Sequence, residues 1–154
     1  MATTIIENRF VVSTDWAGYE RFLNAVGDLR VRLTYDRGVL ELMTPSGRHE
    51  REKSILGRFA ETMMTELGVD FEFGGAVTMR KRQADRGLEP DECYWIEGWK
   101  EAGTIDTWDA SHHPPPDLAI EVEISSSILD RLGIYAALGM PEIWRLRQSG
   151  RLDF

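Results

Sequence analysis

The stretch PPPDLAIEVEISSS, residues 114–127, sets Asp117, Glu121 and Glu123 among Leu118, Ile120, Val122 and Ile124. Side chains alternate along a strand, so the four aliphatic residues share one face while Asp117, Ala119, Glu121 and Glu123 share the other. The next segment, SILDRLGIYAALGM, has helical spacing and ends near Gly139, and EIWRLR (142–147) reads as a further strand. A strand, a crossover helix and a second strand in so short a span allow the two strands to lie parallel. Ser125 to Asp130 then fall at the first strand's carboxyl end, where open α/β sheets usually take ligands. The acidic face itself has two readings. It is the wet side of an edge or surface strand, or it lines a cleft that holds a cation, because crowded carboxylates repel unless a metal or a proton intervenes.

The remaining pattern supplies the rest of the fold. A helix is expected over residues 14–25, capped by Ser13 or Thr14, with Trp16, Tyr19, Phe22 and Leu23 on one face. RVRLTYDRGVLELMTP alternates on both sides of Asp36-Arg37-Gly38, the mark of a β-hairpin. From Arg48 to Leu67, Ile55, Leu56, Phe59, Ala60, Met63 and Leu67 recur at helical spacing, and Gly68 is placed to stop that helix. Strands are expected at 70–81 and 91–96. The order predicts an α/β (α+β) fold, a mixed sheet flanked by helices, in one domain spanning 1–154. After Ser149-Gly150 a fresh strand barely begins, which predicts either a chain cut short at its C-terminal end or an edge completed by a second copy in a homodimer.

Composition narrows the function. The net charge of −8 argues against nucleic-acid binding by bulk electrostatics and requires a local basic patch or a cation in an acidic cleft. Arg48, Arg51, Lys53 and Arg80-Lys81-Arg82 are the candidates for that patch, and each equally fits a solvated face. No run is long and apolar enough for a bilayer, no secretion signal opens the chain, and Cys93 is alone, so a cytoplasmic protein without membrane attachment is expected. There is no phosphate loop, no dinucleotide fingerprint, no nucleophile elbow and no His-Glu-x-x-His pair. His112 and His113 precede three prolines and read as loop residues, and Ser125-Ser126-Ser127 reads as a strand end that caps the following helix.

EPDECYWI and PPPDLAIEVEI each open a strand with Pro-Asp, and the second adds Glu121 four residues past Asp117. Together with an upstream helix and the strand-helix-strand downstream, they resemble the PD-(D/E)xK nuclease superfamily. The combination GVLELMTPSGRHERE, EPDECYWI, PPPDLAIEVEISSS and DRLGIYAALGMPEIWRL is similar to the Uma-type family of restriction endonucleases, over nearly the whole chain from about Val39. The resemblance implies a restriction-endonuclease-like fold and metal-dependent hydrolysis of DNA phosphodiester bonds, with Asp91 and Glu121 as ligands of magnesium or manganese.

Where (D/E)xK expects lysine the chain has Glu123, which is a further carboxylate, a base for the attacking water, or simply solvated. Relatives often supply the lysine four residues before a Tyr, and that position holds Arg131 ahead of Tyr135. Arginine binds phosphate but stays protonated, so it is no general base. From the helix that begins near Arg48, His49, Glu50 and Glu52 are candidates. Counting 100° per residue puts His49 and Glu52 near the Leu56 and Phe59 face and Glu50 away from it, while acids at a helix start also simply meet its dipole. Two rival functions are a weakened nuclease-fold domain that binds nucleic acid or protein, and a carboxylate-pair glycosidase. If Asp91, Glu121 and Glu123 crowd together without a counter-ion, Glu121→Gln should leave the metal-free protein at least as stable.

Overall fold

The structure, a computed structural model, describes residues 7–154. β1 (Asn8–Ser13) opens the fold, a strand hidden in the sequence because both Phe10 and Val11 are exposed and no clean alternation marks it. α1 (Trp16–Val26) follows, but its cap is Asp15, whose carboxylate accepts from Gly18 N at 2.8 Å, rather than Ser13 or Thr14. β2 (Arg32–Asp36) and β3 (Val39–Thr44) form the expected hairpin. Both turn residues have positive φ, 44° at Arg37 and 93° at Gly38, which suits a two-residue turn between right-twisted strands.

α2 (Gly47–Glu66) starts at Ser46, whose hydroxyl accepts from His49 N at 3.1 Å. Its buried stripe is His49, Leu56, Gly57, Ala60 and Met64, whereas Ile55, Phe59 and Leu67 face outward. The expected apolar face was therefore rotated. Small residues do the packing: Tyr94 donates its hydroxyl to the Gly57 carbonyl at 3.4 Å, and a Cβ on Gly57 would lie only 3.2 Å from that hydroxyl.

The strand expected at 70–81 is two. β4 (Glu72–Phe73) and β5 (Met79–Lys81) belong to different sheets. The chain breaks at Gly74-Gly75, with Gly75 at φ 62°. β6 (Arg86–Leu88) was not foreseen, β7 (Glu92–Trp95) matches the 91–96 expectation, and the short α3 (Trp99–Ala102) follows. β8 (Leu118–Val122), α4 (Arg131–Leu138), β9 (Glu142–Leu146) and β10 (Leu152–Asp153) complete the chain. α4 is shorter than expected. Its cap is Asp130, which accepts from Gly133 N at 3.0 Å, so the three serines cap nothing there.

Among the described residues two five-stranded sheets result, β1-β3-β2-β6-β5 and β10-β9-β8-β7-β4, with β8 and β9 parallel as the short crossover requires. β8 is central and buried along its whole length, which rules out an edge or surface strand. Leu118 and Ile120 pack toward α2 with Leu56, Ala60, Tyr94 and Trp144. Ala119 packs on the opposite side with Ile134, Tyr135 and Leu138 of α4, and with Met79 and Leu88 of the other sheet. Glu121, the acid within β8, thus lies on the side covered by α4, whereas Asp117 before the strand accepts from the Ile96 and Glu97 amides. No helix among the described residues is long and apolar enough to cross a membrane.

Candidate functional site

Strand register brings the two acidic motifs together. β7 and β8 pair with Glu92 opposite Ile120 and Cys93 opposite Ala119, and one more step of that register sets Asp91 opposite Glu121. Asp91 Oδ2 accepts from Val122 N at 2.7 Å, which ties the two strand ends. Both acids are buried, at 3% and 9% exposure. They line a cavity of about 250 Å³ at the carboxyl end of β8, together with His49, Glu123, Arg131 and the segment that holds Ser125–Ser127.

Each acid has its own counter-charge. His49, fully buried by the turn that Ser46 caps, places Nε2 at 3.2 Å from Asp91 Oδ2. Among the described residues neither imidazole nitrogen finds an aligned hydrogen bond, so the link is a charge contact. Burial alone would push the imidazole pKa down, but Asp91, helped by Glu7 and Glu50, holds it above the ordinary histidine value. Burial pushes Asp91 up, and His49 together with the Val122 amide outweighs it, so this carboxyl sits below its ordinary value.

Glu121 is gripped by Arg131. Nε donates to Oε2 at 2.9 Å and Nη2 to Oε1 at 2.5 Å, the two-pronged geometry that makes arginine–carboxylate pairs strong. Tyr135 OH donates to Oε1 as well. Burial still raises the Glu121 carboxyl above its ordinary value; Arg131 offsets part of that rise and the charge of Asp91 adds to it. The carboxylates are therefore not an uncompensated crowd, and the expectation that Glu121→Gln costs nothing is corrected: the substitution would leave a buried guanidinium without its partner.

The helix candidates separate. His49 reaches the cavity. Glu52 turns to Arg48, at 2.7 Å, because the packed face of α2 is not the one inferred from Phe59. Glu50 pairs with Lys53 Nζ at 3.0 Å beside His49 and does not line the cavity. Glu123, just past β8, does line it, and among the described residues its carboxylate accepts only from Ser126 Oγ, at 3.3 Å.

Several cavity residues went unrecognised in the sequence. Glu41 of β3, 1% exposed, accepts from Arg9 Nη1 at 2.7 Å, Ser127 Oγ at 2.8 Å and Ile128 N at 3.1 Å. Its signal was an acid inside the apolar run GVLELM. The basic patch is also elsewhere. Arg48, Arg51, Lys53, Arg80, Lys81 and Arg82 line none of the cavity, whereas Arg9, Arg32, Arg131, Arg145 and Arg147 do. Arg9 and Arg131 are engaged by the protein, but Arg32 makes no side-chain hydrogen bond or ion pair among the described residues. Arg145, in register with Glu121 on the neighbouring strand, has a buried Nε without a partner among them, and Nη2 approaches Asp153 only to 3.7 Å. Arginines on a strand alternating with Trp144 and Leu146 could have been read as one inward face.

The expected magnesium does not fit the side chains as they stand. Both Glu121 oxygens already accept from Arg131, which sets a fixed positive charge beside them, and one oxygen of Asp91 is taken by an amide. Among the described residues no three His, Cys, Asp or Glu side chains converge as a metal cage.

A buried acid in β8 and another just before its antiparallel neighbour β7, at the carboxyl end of β8 in a parallel β8–α4–β9 unit, define a restriction-endonuclease-like α/β protein. The Uma2 family model, described as "Putative restriction endonuclease", matches residues 16–152, nearly the whole chain, and the chain belongs to that family. No curated protein and no solved structure matched it.

Proposed function

We propose that the cavity binds the phosphodiester backbone of DNA and hydrolyses it, as an endonuclease. The observation that carries this reading is the pair of guanidinium groups with spare donors, Arg32 and Arg145, in the same cavity as Asp91 and Glu121. A chain of net charge −8 repels DNA overall, so cationic donors inside the concave site are what would seat a phosphate. Arg145 would face the charge that gathers on the phosphate during attack. Glu123, lightly engaged and open to the cavity, would take the proton of the attacking water. Magnesium or manganese is the proposed cofactor, with Asp91 and Glu121 as the residues to hold it once Arg131 leaves Glu121.

A second reading is favoured by the Arg131 fork on Glu121: a nuclease-fold domain that binds nucleic acid without turnover. Nicking of supercoiled plasmid by pure protein with magnesium or manganese decides between them. Wild type should nick and Glu123→Gln should not. No nicking with either metal, together with DNA binding that depends on Arg32 and Arg145, leaves the binding domain.

We further propose a homodimer formed across a sheet edge, where an edge strand offers its open backbone to a second copy. A monomeric sedimentation mass at high concentration would overturn this. A cytoplasmic location suits the buried, unpaired Cys93.

A further inference from the structure

Arg131 is held from three directions. Two of its nitrogens take the two oxygens of Glu121, at 2.9 and 2.5 Å. Nη2 also donates to the Glu89 carbonyl at 2.9 Å, and Nη1 donates to Thr34 Oγ1. The guanidinium is thus fastened to β2, to the β6–β7 connection and to β8, while its own backbone belongs to α4. Four hydrogen bonds leave it little capacity for an outside ligand, and they hold its charge beside the one carboxylate that a cation would share with Asp91.

We infer that Arg131 is a resident counter-ion that keeps divalent cations out of the Asp91–Glu121 pair, so that a cation enters only when this guanidinium is moved. The inference rests on the reading of those two acids as a cation site. Arginine is suited to the task because its planar fork covers both carboxylate oxygens and cannot be discharged, whereas a lysine would cover one point and leave an oxygen open. Thr34 and the Glu89 carbonyl supply the anchoring that stops the fork from swinging aside.

The test is Mn²⁺ binding followed by electron paramagnetic resonance, without nucleic acid, on the full chain and on variants shown by circular dichroism to be folded. Wild type should bind Mn²⁺ weakly. Arg131→Gln should bind at least tenfold more tightly, and Arg131→Lys should fall between the two. Thr34→Ala keeps the fork but loosens its anchor, and should tighten Mn²⁺ binding about threefold. It is the variant to rely on if changes at Arg131 prevent folding. Arg51→Gln, outside the cavity, leaves the fork in place and should bind as weakly as wild type. Equal Mn²⁺ affinity in wild type, Thr34→Ala and the folded Arg131 variants overturns the inference. Nicking reports separately on the proposed function: a variant that binds Mn²⁺ tightly yet cuts no DNA upholds the counter-ion and sinks the endonuclease.

Discussion

His49 Nε2 stands 3.2 Å from Asp91 Oδ2 with both side chains buried, so helix α2 and strand β7 share one charge contact at the cavity floor. The histidine is held above its ordinary value of 6.5 and the aspartate below its ordinary 3.8. The stability that His49 adds is complete below pH 6.5 and is lost as pH rises through its higher folded value. That from Asp91 is complete above pH 3.8 and is lost as pH falls through its lower folded value. His49→Gln should therefore lower the melting temperature near pH 6 and flatten its fall toward pH 9. Parallel melting profiles for wild type and variant across that range would show that the contact contributes nothing.

Arg131→Ala should destabilise the protein by about 3 kcal/mol, because truncating one member of a buried ion pair strands the other. The double change Glu121→Leu with Arg131→Met removes both charges and should cost clearly less than the two single changes summed. Urea unfolding of the four proteins gives the coupling. Additive losses would mean that the fork is not a unit.

Gly133 sits where a Cβ would come within 2.3 Å of Asp130 Oδ2, the side chain that caps α4. Gly133→Ala should force the carboxylate off Gly133 N, cost about 1 kcal/mol, and loosen the first turn that carries Arg131. Gly133→Ala combined with Asp130→Ala should then be little worse than Asp130→Ala alone. Additive costs in equilibrium unfolding would refute the steric account.

If Arg32 and Arg145 seat phosphates, replacing either by Gln should weaken DNA binding uniformly across sequences and reduce the salt slope of log K by about 1. Arg51→Gln, outside the cavity, should leave the slope alone. Fluorescence anisotropy with a short duplex at several salt concentrations is sufficient, and an unchanged slope for both cavity variants would place the phosphates elsewhere.

Much of the framework was legible because its signals are local. The positive-φ turn at Arg37-Gly38, the stop at Gly139 and the parallel β8–β9 pair follow from short motifs. Asp91, Glu121 and Arg131 line one cavity. Less legible was anything fixed by contacts between distant segments. α2 buries Leu56, Gly57 and Ala60 and exposes Ile55 and Phe59, so the large apolar residues marked only part of the packed face, and Glu52 lies off it. Glu41 looked like an outward acid of a hairpin until Arg9, Ser127 and Ile128 closed around it.

The contact between Arg9 and Ser125 spans 116 residues of chain. One wall of the cavity is therefore assembled from the start of the sequence and another from its last third. During synthesis β1 can pair with β3 early, but Arg9 must wait for the loop after β8 to emerge, and so distant a closure is entropically slow. The pocket should be among the last features to mature. A newly made chain would carry the Arg9–Glu41 wall apart from the Glu121–Arg131 wall, and chemically silent, until the fold around them is nearly complete.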